Sequence, residues 1–176
     1  MKNEISNLND FLMLATEVLK TTQKDFREYT KYIYSDDEKL VVTDGSILVT
    51  LDKTTENIAS GFYDIAKAGK ALTLMPSNFE GNYPNYKRVI PDYNSEMLEV
   101  AFTKTEYMNN LIKLQNIALK YCGGYVAEKY FELLKKSELT YQVFTPANPC
   151  GKEERYPVIF KANNLNIVVM PKSIDK

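Results

Sequence analysis

Tyr83-Pro84-Asn85-Tyr86-Lys87-Arg88-Val89-Ile90-Pro91 is the stretch on which the reading of this 176-residue chain turns. Each proline holds its own φ at about −65° and removes a backbone donor. Each also pushes the residue before it toward extended backbone. Residues 76–92 carry too many Pro, Asn and Gly for regular structure. By itself the stretch is a rigid linker, with a patterned region on either side of it.

On the N-terminal side, Leu8, Phe11, Leu12, Ala15, Val18 and Leu19 recur at helical spacing. They predict a helix over 7–21, with Asn7 as its cap. The period then changes to alternation. Tyr29 to Tyr34 reads as a strand, Leu40 to Thr43 as a second and Ser46 to Leu51 as a third, with Asp44-Gly45 as a tight hairpin turn between the last two. Residues 61–75 read as a further hairpin turning near Gly69. On the C-terminal side, Glu96 to Phe102 is a predicted strand. Residues 104–120 are a predicted helix with Tyr107, Met108, Leu111, Ile112, Leu114, Gln115 and Ala118 as its apolar face. Cys122-Gly123-Gly124 ends it. Val126 to Lys136 is a further helix, and strands follow over 139–144, 156–161 and 165–170. Helices segregated from antiparallel strands give an α+β fold. The chain reads as a single domain with 1–92 as its first half, linker included, and 93–176 as its second, each half one helix followed by strands.

Composition narrows the chemistry. Apolar residues make up 44% of the chain and charged residues 26%, ordinary for a soluble globular protein. The formal net charge is −1, so no global field draws the chain to nucleic acid. There is no histidine, which removes His-dependent bases, triads and most zinc sites. Cys122 and Cys150 read as reduced thiols of a cytoplasmic protein. No apolar run is long enough to span a bilayer, and Met1 to Ile5 shows no secretory signal. The acid clusters Asp36-Asp37-Glu38 and Glu153-Glu154 lack metal-motif spacing and read as solvated turns. No phosphate loop or nucleophile elbow is present. Neither catalysis nor a cofactor or metal is expected.

Three segments in this order and spacing, Val42-Thr43-Asp44-Gly45, Tyr83 to Pro91 and Val168-Val169-Met170-Pro171, resemble segments of the bacterial DNA polymerase III beta subunit, the sliding clamp. The middle one matches that family's aromatic, Pro, polar, Tyr, two basic residues, apolar pair and Pro almost completely. The resemblance implies a clamp-like fold, with helices lining a DNA hole and sheets outside. It also implies an apolar pocket for short clamp-binding peptides of polymerase or repair proteins. The residues that would form it are Thr43, Gly45, Ile47, Leu48, Pro84, Arg88, Val89, Val168, Val169, Met170 and Pro171. Rigid prolines and valines suit its walls, and Met170 is soft enough to adapt to an entering side chain. Arg88 is placed to anchor a carbonyl or acidic group at the rim.

The chain departs from the family after Asp44-Gly45. Most clamps carry His-Arg-Leu there; this chain has Ser46-Ile47-Leu48. There is also no room between Lys53 and Phe79 for a full half-domain, and a set of strands is missing between the last two helices. One copy cannot encircle DNA, so a ring requires a head-to-tail homo-oligomer. Lys20, Lys24, Arg27, Lys129, Lys135 and Lys136 are candidates for a sequence-independent basic DNA lining. Glu17, Asp25, Glu28, Glu128 and Glu132 dilute that charge, as on any solvated helix face. Two readings stand: a reduced clamp of DNA replication, or a monomeric or dimeric peptide-binding adaptor or decoy that leaves DNA alone.

Overall fold

The computed structural model describes residues 2–53, 57–102 and 106–173, with side chains from Asn7 onward. The order is α1 (Lys2–Thr22), β1 (Ile33–Ser35), β2 (Lys39–Thr43), β3 (Ile47–Asp52), β4 (Gly61–Ala68), β5 (Ala71–Pro76), β6 (Ser95–Ala101), α2 (Tyr107–Ile117), α3 (Glu128–Lys136), β7 (Thr140–Thr145), β8 (Val158–Ala162) and β9 (Leu165–Val169). The fold is α+β. The chain divides into two compact units, residues 1–87 with 163–165, and residues 88–162 with 166–176.

In the first unit the strand order is β5-β4-β1-β2-β3. The β2–β3 hairpin pairs Thr43 with Leu48 and Lys39 with Asp52, as the Asp-Gly turn predicts. β4 and β5 close at Ala68 and Ala71 around Gly69-Lys70. Helix α1 packs on β2, β3 and β5. Its buried stripe is Phe11, Leu12, Leu14, Ala15, Val18 and Leu19, against a sheet that buries Leu40, Val42, Ile47, Val49 and Leu51. Each fully buried Val, Leu, Ile or Phe among them contributes about 1.5–3 kcal/mol by leaving water.

Two local expectations fail here. Asn7 is not a cap: α1 begins at Lys2 and runs through it. Asn7 is buried, and its Oδ1 accepts from Asn163 Nδ2 at 3.4 Å. Tyr29 to Tyr34 is not one strand either. Glu28–Lys31 is a turn of 3-10 helix, and β1 keeps only Ile33–Ser35. Thr30 tightens the turn by donating both N–H and Oγ1 to the Arg27 carbonyl, at 3.1 and 2.8 Å. The tyrosines go to an aromatic cluster instead of alternating across a sheet.

In the second unit the strand order is β9-β8-β7-β6. β6 pairs antiparallel with β7 through a bulge between Glu96 and Leu98. Phe102, Phe131, Tyr141 and Phe160 form a chain of ring contacts at 6.0–6.4 Å that joins α3 to the strands. Inside it, Ser137 Oγ donates to the Leu134 carbonyl at 2.7 Å and lies 2.6 Å from Tyr141 Oη.

The start of the predicted 104–120 helix lies outside the described residues. Helix α2 begins at Tyr107, and the chain continues after it as one π-helical turn, Ala118–Cys122. The broad apolar face divides. Leu114 and Ala118 are buried, but Met108 and Ile112 are 60% and 54% exposed. Gln115 is not an apolar contact at all. Its amide grips the backbone ahead of α3, donating to the Val126 carbonyl at 2.7 Å and accepting from the Val126 N–H at 3.0 Å.

Candidate functional site

Within the first unit the candidate residues sit on two pieces of rigid backbone. The first is the β2–β3 turn. Asp44 Oδ1 accepts from Ser46 N at 2.8 Å and Ile47 N at 2.9 Å, while Thr43 Oγ1 donates to the Ile47 carbonyl at 2.6 Å and accepts from Gly45 N at 3.0 Å. The turn is therefore self-satisfied. Thr43 is half-buried and Gly45 exposed, whereas Ile47 and Leu48 are buried in the unit's core.

The guanidinium of Arg27 props this turn from outside. Arg27 Nε and Nη2 donate to the two oxygens of Asp25 at 3.0 and 2.6 Å, and Nη2 also reaches the Asp44 carbonyl at 3.1 Å. The hydrogen bonds from Arg27 hold the Asp25 carboxyl down to about 2. Gly45 has φ +90°, and a Cβ on it would stand 2.5 Å from Arg27 Nη1. Glycine here serves both the turn and the close approach of the arginine.

The second piece is the linking segment up to Lys87. Tyr83 stacks on Tyr34 with centroids 4.6 Å apart, and Phe79 stacks on Tyr32 at 4.7 Å. Tyr86 Oη donates to Asp36 Oδ2 at 2.6 Å, and Lys87 Nζ to Glu38 Oε2 at 2.6 Å. Burial would raise the Asp36 carboxyl. Tyr86, the Glu38 and Lys39 N–H groups and nearby Lys87 outweigh it and leave Asp36 below its usual range. So Asp36-Asp37-Glu38 is more than a solvated turn: Asp36 and Glu38 latch the linking segment. Pro84 stands exposed between the two anchored tyrosines.

The second unit holds the rest. Tyr86–Val89 is a short 3-10 turn. Arg88 beyond the latch is exposed and has no partner among the described residues. Val89 is 57% exposed. In the tail, Val168 and Val169 are buried in β9, Met170 is 41% exposed, and Pro171 is buried. The tail is seated by a two-residue bridge: Tyr125 N–H donates to the Lys172 carbonyl at 3.0 Å and Lys172 N–H to the Tyr125 carbonyl at 2.8 Å. Gly124 makes room for it, since a Cβ there would stand 2.3 Å from the Lys172 oxygen.

The basic candidates differ in what already holds them. Lys24 is exposed and unpaired among the described residues. Lys20 is bound to Glu17 at 2.6 Å, and Arg27 is committed to Asp25 and the turn. Lys129 lies over the Tyr130 ring at 4.6 Å. Lys135 lies over Tyr107 at 4.3 Å and near Glu132 at 3.7 Å. Lys136 is exposed on the last turn of α3.

Sequence reasoning overlooked Arg27 as a strut, the Asp36 latch and the Gly124 seat. Asp25-Phe26-Arg27 was legible as a charge pair, but its target 17 residues on was not. Among the described residues no helix is long and apolar enough to cross a membrane.

No family model matches the chain. No curated protein matches it either. Solved structures do match. A Helicobacter pylori beta clamp bound to a DNA ligase peptide has a TM-score of 0.51 at 15% identity, over 92% of this chain and 63% of that one. A DNA polymerase III subunit beta from Borrelia burgdorferi, in complex with a natural product, has 0.52 at 12% identity, over 96% and 63%. A Caulobacter crescentus pol III beta has 0.52 at 14%, over 96% and 64%. The chain spans less than two thirds of the length of these proteins, and nearly all of it is covered: it has the fold of the bacterial DNA polymerase III beta sliding clamps.

Proposed function

We propose that this chain is a non-catalytic, clamp-like protein of DNA replication that captures short peptides of polymerase or repair proteins. The residues proposed to receive the peptide are Thr43, Gly45, Ile47, Leu48 and Pro84 of the first unit, and Arg88, Val89, Val168, Val169, Met170 and Pro171 of the second. One observation carries the reading: the chain shares its fold with a clamp bound to a DNA ligase peptide. The side chains supply a consistent chemistry. Val89, at the end of the 3-10 turn, and Met170, beside the bridged tail, leave apolar surface in water, which suits an apolar peptide anchor. Arg88, unpaired, suits a carbonyl or carboxylate of the same peptide.

The test is titration of a fluorescent clamp-binding peptide into the full chain, followed by fluorescence polarisation. Saturable binding that Met170→Glu abolishes supports the reading. Absence of saturation rejects it.

In the same proposal the protein surrounds duplex DNA as a head-to-tail homo-oligomer. β5 and β6 end the strand orders of their units and each offers an unpaired edge for such a joint. Mass in solution by light scattering, and retention on closed circular DNA, test this arm separately. The adaptor reading is favoured by a different observation: Lys20, Arg27 and Lys135 already have carboxylate partners. Peptide binding by a strict monomer that never stays on circular DNA would establish it.

A further inference from the structure

Phe26 is 90% exposed, the most open large apolar side chain among the described residues. A single exposed apolar residue is common on protein surfaces and by itself means little. Phe26 differs in its mounting. Asp25 and Arg27, on either side of it, are joined by two side-chain hydrogen bonds of 3.0 and 2.6 Å, and the Arg27 guanidinium lies 5.8 Å from the centre of the Phe26 ring. The same guanidinium donates to the Asp44 carbonyl at 3.1 Å and leaves no room for a side chain at Gly45. Two residues further on, Tyr29 meets Tyr83 edge-on at 5.4 Å, and Pro84 follows Tyr83 in the chain. Residues 25–29 therefore touch both pieces of the first unit's proposed peptide site, the β2–β3 turn and the linking segment.

At the turn itself that site lacks an apolar contact. Ile47 and Leu48 are 1% and 5% exposed, so their side chains belong to the core. Thr43 is half-buried, and Gly45 and Ser46 have no apolar side chain to offer. We propose that Phe26 is the first unit's apolar anchor for the peptide and sets its specificity: the peptide lays a large aliphatic or aromatic side chain against this ring as it passes the β2–β3 turn. The inference rests on the peptide reading given above and adds a residue outside the segments that pointed to it. The charged side chains that flank the ring cancel in pairs, Arg27 with Asp25 and Glu28 with Lys31 at 2.8 Å, so neither carboxylate is left bare against an apolar occupant. A ring with two rotatable bonds on pinned backbone also loses little freedom when it is covered, and the area it buries counts toward affinity.

The test is the polarisation titration of the full chain, wild type and Phe26→Ala, with the labelled clamp-binding peptide and its single-alanine variants. Phe26→Ala truncates a side chain that stands in water, so its urea midpoint matches wild type. Its affinity for the peptide falls by about 10- to 100-fold, the worth of one apolar ring withdrawn from water. Alanine at one large apolar position of the peptide costs wild type a comparable factor and costs Phe26→Ala little, the coupling that a direct contact shows. Equal affinity of the two chains overturns the proposal. So does a loss that is the same for every peptide variant, because Phe26 would then act through Arg27 and the turn. A solution mass that drops in Phe26→Ala at unchanged peptide affinity places a second copy on the ring and overturns it as well. A wild-type chain that binds no peptide overturns the peptide reading together with this anchor, whereas saturable binding that ignores Phe26 overturns the anchor alone.

Discussion

Arg27 and Gly45 touch across the base of the β2–β3 turn: no side chain fits between Arg27 Nη1 and the Gly45 backbone. The contact makes the turn a supported feature and not merely a tight one. Gly45→Ala forces a β-carbon onto a φ of +90° and displaces the guanidinium, which is the flexible end of its side chain. We expect a loss of about 1–2 kcal/mol from the backbone alone. It will be read as a lower urea midpoint at unchanged m-value, together with weaker binding of the clamp peptide.

The same strut has a pH signature. Asp25 is held below its ordinary 3.8, at about 2, by Arg27. A group depressed in the folded state stabilises fully above its unfolded value, and the contribution is lost as pH falls through the folded one. Wild type should therefore exceed Asp25→Asn in thermal midpoint at neutral pH. The gap should close between about pH 4 and pH 2. A constant gap across that range would mean that Asp25 acts through packing alone.

Tyr83 and Tyr86 lie three residues apart and should respond oppositely to loss of the hydroxyl. Tyr83 Oη is buried without a partner among the described residues, while its ring stacks on Tyr34. Tyr83→Phe keeps the stack and removes a desolvated polar atom, so stability should hold or rise by up to about 1 kcal/mol. Tyr86→Phe breaks the bond to the Asp36 carboxylate and should cost about 1.5–3 kcal/mol. The Tyr86→Phe/Asp36→Asn cycle should show coupling. Urea denaturation of the four chains measures it.

Gly124→Ala places a β-carbon 2.3 Å from the Lys172 carbonyl, a backbone atom that cannot swing aside. The tail must lift, with the Tyr125–Lys172 bridge. The expected cost is about 1–3 kcal/mol, with faster amide hydrogen exchange at Tyr125 and Lys172 and a loss of peptide affinity. Unchanged exchange at both amides would show that the tail is held by other contacts.

The two thiols should separate chemically. Cys122 is fully buried, its Sγ turned to the Pro157 carbonyl at 3.7 Å, and burial pushes it up to about 12. Cys150 is half-exposed. At about pH 8 a maleimide should label Cys150 first, with Cys122 modified only at the rate of unfolding. Mass spectrometry of timed aliquots gives the order.

What the residues alone determined is what local chemistry decides. Apolar spacing placed α1, α3 and the strands other than β1. Asp44-Gly45 and Gly69 marked their hairpins, because a tight turn depends on the few residues inside it. The three clamp-like segments pointed to the fold that the solved structures share. The tertiary structure alone decided where side chains with several options went. Tyr29 and Tyr32 left a strand pattern because ring partners, Tyr83 edge-on and Phe79 stacked, came from about 50 residues away. Gln115 left an apolar stripe for the backbone of Val126. Arg27 found Asp44, and Asp36 found Tyr86. Hydrogen bonds and ring contacts of that kind depend on which distant segment arrives within about 3–5 Å, and no spacing along the chain encodes that distance.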